Sequence, residues 1–274
     1  MGQWHEAIYS MRLVGKQETA VTLGCLSKAW YANKDGVYLA KGNMRLDKGG
    51  YGWEPYSEAI ASIVASVLGV PHIPYTLAPA ASFPAVKTYG IPVVSICKME
   101  PIPAGCQKIS AITYMEAYHR REINTNFWTM FNALPIDKTS TLDMLVIDAI
   151  VGNIDRHLNN WEYLLKPNGE VSLVPSFDFG ESLLAQQAHG LRCLSENAIG
   201  PDKSKPFKDT HTRQMHLIKH AYPEYHFTRD IQACWCMVER GITPILKSMP
   251  DADRASKVYT YLHNRFFFYL KLMG

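Results

Sequence analysis

Asp155, Asn160 and Asp178 are of the types, and at the spacing, that phosphoryl transfer from MgATP requires. Asp155 and Asn160 sit in the segment Gly152-Asn153-Ile154-Asp155-Arg156-His157-Leu158-Asn159-Asn160, and Asp178 in Phe177-Asp178-Phe179-Gly180. In that chemistry one Asp orients the attacking hydroxyl, while an Asn and a second Asp hold Mg²⁺ beside the γ-phosphate. The alternative, ordinary solvated loop residues, accounts for neither the Asp-Phe-Gly triplet nor the chain between the two motifs.

That intervening chain reads as a hairpin. Trp161 to Lys166 and Val171 to Ser176 are β-prone, and Pro167-Asn168-Gly169-Glu170 between them carries an Asn-Gly turn signal. Folding about Asn168-Gly169 sets Asn160 opposite residue 177 or 178. Facing residues in an antiparallel ladder lie about 5 Å apart at the Cα, so Asn160 and Asp178 can converge on one cation with the hard oxygen ligands that Mg²⁺ prefers. Upstream, Leu142, Leu145, Val146, Ala149 and Ile150 give Thr141–Val151 one apolar helical face, with Ser140 and Asp143 as an N-terminal cap and Gly152-Asn153 as its left-handed end.

The first half of the chain has the parts for holding the nucleotide. Val37 to Lys41 is a strand ending in Lys, preceded by the turn Asn33-Lys34-Asp35-Gly36. A strand-borne Lys of this kind neutralises the α- and β-phosphates and is itself held by a helix Glu. The next helix is expected from Ser57 to Leu68, with Glu58 in its first turn and Glu54 just outside, so Glu58 is the preferred partner of Lys41. The segment Gly24-Cys25-Leu26-Ser27-Lys28 suits a loop whose backbone N–H groups cover phosphates, and no P-loop pattern is present. Lys48-Gly49-Gly50-Tyr51-Gly52 is expected to link strand to helix. Ile91–Cys97 reads as a further strand, followed by Lys98-Met99-Glu100-Pro101, where a backbone hinge would pair with adenine.

Taken in order, Gly24 to Lys28, Tyr38-Leu39-Ala40-Lys41, Glu58, Asn153-x-Asp155-Arg156-His157-x-x-Asn160 and Asp178-Phe179-Gly180-Glu181-Ser182-Leu183 resemble the HipA-like serine/threonine kinases of bacteria over roughly residues 20–185. The resemblance implies an α+β, two-lobed protein-kinase-like fold, with a small β-rich lobe over residues 1–102 and a larger, mainly helical lobe over 103–274. It implies ATP and Mg²⁺, and a protein substrate carrying the acceptor Ser or Thr. By motif, Asp155 is the base, Asn160 and Asp178 are the metal ligands, Lys41 contacts the phosphates, and Ser27-Lys28 belong to the covering loop. Ser27 matches a loop serine that family members autophosphorylate to shut themselves down. Only about twenty residues precede the loop, so the likeness is to a short form without the family's additional N-terminal subdomain. A separately encoded piece of that kind, or a toxin–antitoxin partner, is the further partner implied. Asp-Arg-His also resembles the phosphoinositide lipid kinases, where the His assists proton transfer. For His157 that role stands beside a packing or hydrogen-bonding one.

Composition excludes several other classes. With 47% hydrophobic and 19% charged residues in 274, the chain builds a core rather than staying disordered. A net charge of +3 with only short cationic clusters, such as His119-Arg120-Arg121, points away from direct nucleic-acid binding. Six cysteines without Cys-x-x-Cys suggest free thiols in a reducing cytoplasm. His216 and His220 read as a helix surface rather than a metal pair. No secretory leader is visible at Met1, residue 6 does not fit a myristoylation start, and Ala59–Val70 is too short to span a bilayer. Helices are expected over Ala111–Leu134, beyond Thr210 and over Ala255–Leu272. The polar stretch Gly200–Pro206 suits a mobile activation or substrate loop. Two other functions compete with a protein kinase: a lipid or small-molecule kinase, and an inactive nucleotide-binding scaffold.

Overall fold

Five antiparallel strands in the order β1-β2-β3-β5-β4 form the N-terminal sheet in a computed structural model of the protein, which describes residues 11–16, 26–46, 49–118, 127–186 and 203–274. They are β1 (Arg12–Lys16), β2 (Lys28–Asn33), β3 (Gly36–Lys41), β4 (Tyr75–Pro79) and β5 (Val93–Met99). A two-residue loop joins β2 to β3: Asn33 pairs with Gly36, and the Asn33 side chain accepts from the Asp35 amide at 2.8 Å. Tyr31, Ala40, Val94, Ile96 and Phe83 bury one face of the sheet as a small separate core.

Helix α1 (Glu54–Val67) follows, starting three residues before the expected Ser57. Pro55 marks the first turn of the helix rather than its boundary, because a proline there sacrifices no intrahelical hydrogen bond and has the right φ. Glu54 therefore opens the helix and Glu58 falls in its second turn. The inner face of α1 does not pack mainly on the sheet. Ile60, Ala61, Val64, Ala65 and Leu68 join the larger core of the protein.

That core is built by helices: α2 (Ala111–Tyr118), α3 (Phe127–Ala133), α4 (Thr139–Val151), α5 (His211–Ala221), α6 (Ile231–Ser248) and α7 (Ala252–Met273). The expected run 111–134 is thus two helices, with residues 119–126, and the His119-Arg120-Arg121 cluster, outside the described residues. Asp251 caps α7, accepting from the Arg254 amide at 2.9 Å, so this helix starts three residues before the expected Ala255. Phe266 and Tyr269 of its aromatic run are buried in the core, and His216 and His220 lie exposed on α5. Among the described residues no helix is long and apolar enough to cross a membrane.

The helix α4 is buried along nearly its whole length. Its cap is not Ser140, which lies inside the helix. The N-cap position is Lys138, which makes no side-chain cap, and Asp137 just before it accepts from the Thr139 amide at 3.0 Å. Gly152 ends α4 at φ 67, and a Cβ there would stand 2.2 Å from the Tyr261 hydroxyl, so both the turn and the approach of α7 require glycine. Asn153 has a different task from the expected left-handed cap: its side chain donates to Asp148 Oδ1 at 2.8 Å and accepts from the Asp155 amide at 3.1 Å.

Beyond the catalytic-type loop, β6 (Gln107–Ser110), β7 (Glu162–Leu165) and β8 (Val171–Leu173) form a three-stranded sheet in that order. The β7–β8 turn differs by one residue from the expected one. The loop is Pro167-Asn168-Gly169, Gly169 takes φ 84, and the ladder pairs Tyr163 with Leu173. This register would set Ser176, not residue 177 or 178, opposite Asn160. Ser176 in fact leaves the hairpin to bridge His72.

Candidate active site

Lys41, at the end of β3, is 6% exposed, and its ammonium lies 2.6 Å from Glu58 Oε1 and 3.0 Å from Asp178 Oδ1. Glu58 is fixed in turn by the Ser95 hydroxyl of β5, which donates to its other oxygen at 2.8 Å. The Lys41 ammonium also sits 5.0 Å from the centre of the buried Tyr75 ring. Burial alone would lower the pKa of Lys41. The carboxylates of Glu58 and Asp178 outweigh it and hold the ammonium firmly charged. Asp178 follows the same logic. Burial works to raise its pKa, but Lys41, Arg156 and Lys28 together keep it below the usual carboxylate value. Its backbone adopts φ 60, an uncommon conformation that Asp tolerates better than most residues.

Arg156 organises the other side of the site. It is completely buried, and its guanidinium pairs with Asp148 of α4 through Nε at 2.7 Å and Nη2 at 2.9 Å. Its Nη1 donates to two backbone carbonyls, those of Asn160 and Phe177. One nitrogen thus ties the residue bearing the amide to the residue preceding Asp178. This arginine, and not a hairpin ladder, holds the backbones of Asn160 and Phe177 together. The Asn160 amide nitrogen donates to the Asp155 carbonyl at 2.9 Å, which turns the amide oxygen the other way. That oxygen and the Asp178 carboxylate are hard donors suited to Mg²⁺, which takes few protein ligands and completes its shell with phosphate and water. Among the described residues no group of three or more His, Cys, Asp or Glu forms a metal cluster of its own.

Asp155 lies in the same cleft, with Lys205 ion-paired to one carboxylate oxygen and His157 Nε2 3.7 Å from the other. The sequence places Lys205 in the polar stretch Gly200–Pro206 but does not pair it with Asp155. Residues 203 and 204 of the expected mobile stretch form a short strand, β9 (Lys203–Ser204), paired with β10 (Asp209–Thr210), while 200–202 lie outside the described residues. A second arrangement missed from the sequence is His211, buried between the Asn153 carbonyl (2.8 Å from Nε2) and the Arg265 guanidinium (3.0 Å from Nδ1). Burial, then the adjacent Arg265, pushes its pKa down to about 3, so it is neutral, donating to Asn153 and accepting from Arg265. Arg265 also donates to the Ala149 carbonyl, so α5 and α7 brace the loop that carries Asp155.

Of the remaining sequence candidates, Ser27, Lys28 and Met99 are among the described residues. Gly24 lies outside the described residues, with Cys25. Ser27 Oγ accepts from the Lys87 amide at 2.9 Å, and Lys28 faces Lys41 across the β2–β3 ladder. Met99 lines an apolar cavity of about 470 Å³, bordered also by Ile73, Pro101, Leu164, Leu173 and Val174. Its walls are the chain leaving β5 and the hairpin that leads from Asn160 to Asp178.

Glu54 stands beside this centre and is 1% exposed, with no well-formed hydrogen bond to either carboxylate oxygen. Burial pushes its pKa up to about 8; the nearby amides of Glu54 itself and Met44 offset part of this, and Glu181 and Glu58 add to it. In the unfolded chain the group ionises near 4.5. Between these values the native state holds a proton that the unfolded state has lost, so this group's stabilisation is present below the lower value and is lost as pH rises through the upper one. The expected outcome is a melting temperature that falls from pH 5 to pH 8 in the wild type and falls less in Glu54→Gln, measured by thermal denaturation in matched buffers. An identical slope in the two proteins would contradict it.

The antiparallel N-terminal sheet, the helical C-terminal part and the cleft between them are a kinase-like α+β fold, that of the HipA-like kinases. The Helicobacter pylori proinflammatory kinase CtkA superposes with a TM-score of 0.63 over 94% of this chain and 93% of that one, at 19% sequence identity. HipA of the Shewanella oneidensis MR-1 toxin–antitoxin system, in a structure that also holds HipB and operator DNA, gives a TM-score of 0.51 at 13% identity. That match takes in 94% of this chain but only 65% of the other. No protein-family model and no curated protein sequence matches the chain.

Proposed function

We propose that the protein is an MgATP-dependent serine/threonine protein kinase. The observation that carries this reading is the meeting of Lys41, Glu58 and Asp178 in one ion-pair cluster, with Asn160 and the Asp178 segment tied to the same arginine. Residues 1–102 would supply the nucleotide-binding lobe and 103–274 the catalytic one. Lys41 and the loop of Gly24, Ser27 and Lys28 hold the phosphates, Glu58 fixes Lys41, and adenine enters the cavity beside Met99. Mg²⁺, held by Asn160 and Asp178, would neutralise charge on the β- and γ-phosphates. Asp155 accepts a hydrogen bond from the acceptor hydroxyl and takes its proton. Most of the rate comes from alignment and from fixed charges, because phosphoryl transfer leaves little covalent work for the protein.

The half-exposed His157 beside Asp155 keeps a second reading, a lipid or small-molecule kinase in which the imidazole relays the proton. Incubation with labelled ATP and a cell lysate, followed by phosphosite mapping, separates the two. The protein-kinase reading predicts label on protein Ser or Thr. Label confined to lipid or metabolite fractions would reverse the order of the two readings. Magnesium-dependent thermal stabilisation by ATP without any transfer would make the chain a nucleotide-binding scaffold. The same incubation tests Ser27 as an autophosphorylation site, through a mass increase of one phosphate mapped to that residue. Partners proposed with this function are a protein substrate and an antitoxin-type protein, as in the Shewanella structure that holds HipB. The setting proposed is the cytoplasm, where ATP is available and the free thiols of Cys97, Cys106, Cys234 and Cys236 would persist.

A further inference from the structure

The pairing of Lys205 with Asp155 joins residues fifty positions apart, and it is built from the backbone upward. The Lys205 amide donates to the Ile154 carbonyl at 3.1 Å, and residues 155 and 205 form a parallel bridge. Immediately before it, Ser204 is buried and held by Gln214 of α5, whose amide nitrogen also reaches the Asp209 carbonyl at 2.8 Å. The strand pair β9–β10 and Gln214 therefore place Lys205 without help from its side chain. That side chain is 53% exposed and reaches a carboxylate that is 22% exposed.

Two roles fit a cation in this place: a latch that keeps the site closed, or a charge kept ready for the reaction. An ion pair this exposed contributes too little to hold a segment shut, and the segment is already anchored elsewhere. The local charge favours the second role. Asp155, Asp178 and Glu181 crowd this end of the cleft. Burial and then Asp155 push Glu181 upward, while Lys205 pulls it down. Lys41 is already shared between Glu58 and Asp178. Two residues after Asp155 the loop itself offers a histidine, which lies against the other oxygen of Asp155. Lys205 brings a lysine ammonium onto Asp155 Oδ1, the oxygen that His157 does not face.

We infer that Lys205 is a catalytic residue, one that moves from the Asp155 carboxylate onto the transferring phosphoryl group and stabilises its charge. This rests on the kinase reading above. In the step, a bond forms between the acceptor oxygen and the γ-phosphorus. The bond from that phosphorus to the β,γ-bridging oxygen breaks, ADP leaves with the electron pair, and the hydroxyl proton passes to Asp155. As the γ-phosphoryl group detaches, charge spreads over its equatorial oxygens, and a preplaced ammonium there favours the transition state over bound ATP.

The test compares the wild type with Lys205→Met and Lys205→Arg. Three quantities are read: total turnover of γ-³²P-labelled ATP at saturation, the Kd of Mg·AMP-PNP, and the gain in MgADP affinity on adding aluminium fluoride, which mimics the transferring group. Lys205→Met should lose about 100-fold in turnover, the scale of one lost charge-stabilising donor, with Mg·AMP-PNP affinity within about threefold of wild type and no gain from aluminium fluoride. Lys205→Arg should recover most of the turnover and the gain. Turnover in Lys205→Met equal to or above wild type would overturn the catalytic role, and so would a Kd for Mg·AMP-PNP that weakens as much as turnover falls. A wild type that binds nucleotide but turns over no ATP would defeat the kinase reading itself, and this inference with it. An active wild type with an unaffected Lys205→Met defeats this inference alone.

Discussion

Asp155→Asn should bind Mg·AMP-PNP within about threefold of the wild-type affinity and lose phosphoryl transfer by about 10³-fold, the middle of the range for a positioned general base. The substitution is isosteric, and the backbone of residue 155 is held independently of its carboxylate. The amide donates to Asn153 Oδ1 at 3.1 Å, and the carbonyl accepts from the Asn160 side chain at 2.9 Å. The ion-pair cluster of Lys41, Glu58 and Asp178, proposed to hold the nucleotide, does not include Asp155. Binding and chemistry should therefore separate cleanly. Asp178→Ala should behave differently, because it removes both a metal donor and a partner of Lys41, so Mg²⁺-dependent nucleotide binding weakens along with transfer. Isothermal titration alongside initial rates of label transfer measures both. Equal rates in wild type and Asp155→Asn would remove Asp155 from the mechanism.

The largest stability effect is expected at Arg156, a residue that need not touch substrate. Arg156→Leu leaves Asp148 as a buried carboxylate with only the Asn153 side chain to compensate it, and leaves the carbonyls of Asn160 and Phe177 without their shared donor. Breaking one side of a buried pair costs about 3–5 kcal/mol, which for a chain of this size corresponds to a melting temperature lower by roughly 10 °C. The double variant Arg156→Leu/Asp148→Leu should regain much of that loss, since no charge is then stranded. Its transfer activity should not return, because nothing would tie Asn160 to the Asp178 segment. Denaturant titration of the three proteins tests the first point and label transfer the second. If the double variant recovered both, Arg156 would be shown to act through stability alone.

The contrast between these two residues shows what could be read in advance. Asp155, Asn160 and Asp178 stand out by spacing, because the phosphoryl transfer proposed for them needs those types close together. Lys41 and Glu58 declare themselves through a strand end and a helix pattern. Arg156 and Asp148 were on the page as well: an acid interrupting the apolar run of α4, eight residues before an arginine, is a signal of a buried pair. The Asn-Gly turn is the more conspicuous feature, but Arg156 ties Asn160 to the residue before Asp178. The hairpin register was off because Gly169 at φ 84 makes a three-residue loop, and a one-residue change in a turn shifts every pairing above it. The start of α1 was misplaced because Pro55 reads as a breaker unless the helix is known to begin beside it. Lys205 falls in the stretch Gly200–Pro206 that suits a substrate loop, but nothing local pairs it with Asp155, and His211 has no local signature. Their neighbours in space lie fifty residues or more away in the chain, and only the packing of α5 and β9 brings them in.

The position of α1 has a consequence for control. In many protein kinases the helix that bears the lysine's glutamate can swing away, and that swing is an on–off device. Here Ile60, Val64 and Leu68 are interior residues of the main helical core, and Gly241 of α6 admits Ile63 so closely that a Cβ would lie 2.8 Å from it. Withdrawing Glu58 would mean pulling these side chains out of that core. If the chain is a kinase, its control would have to lie elsewhere than in withdrawal of Glu58, whose helix the core holds beside Lys41.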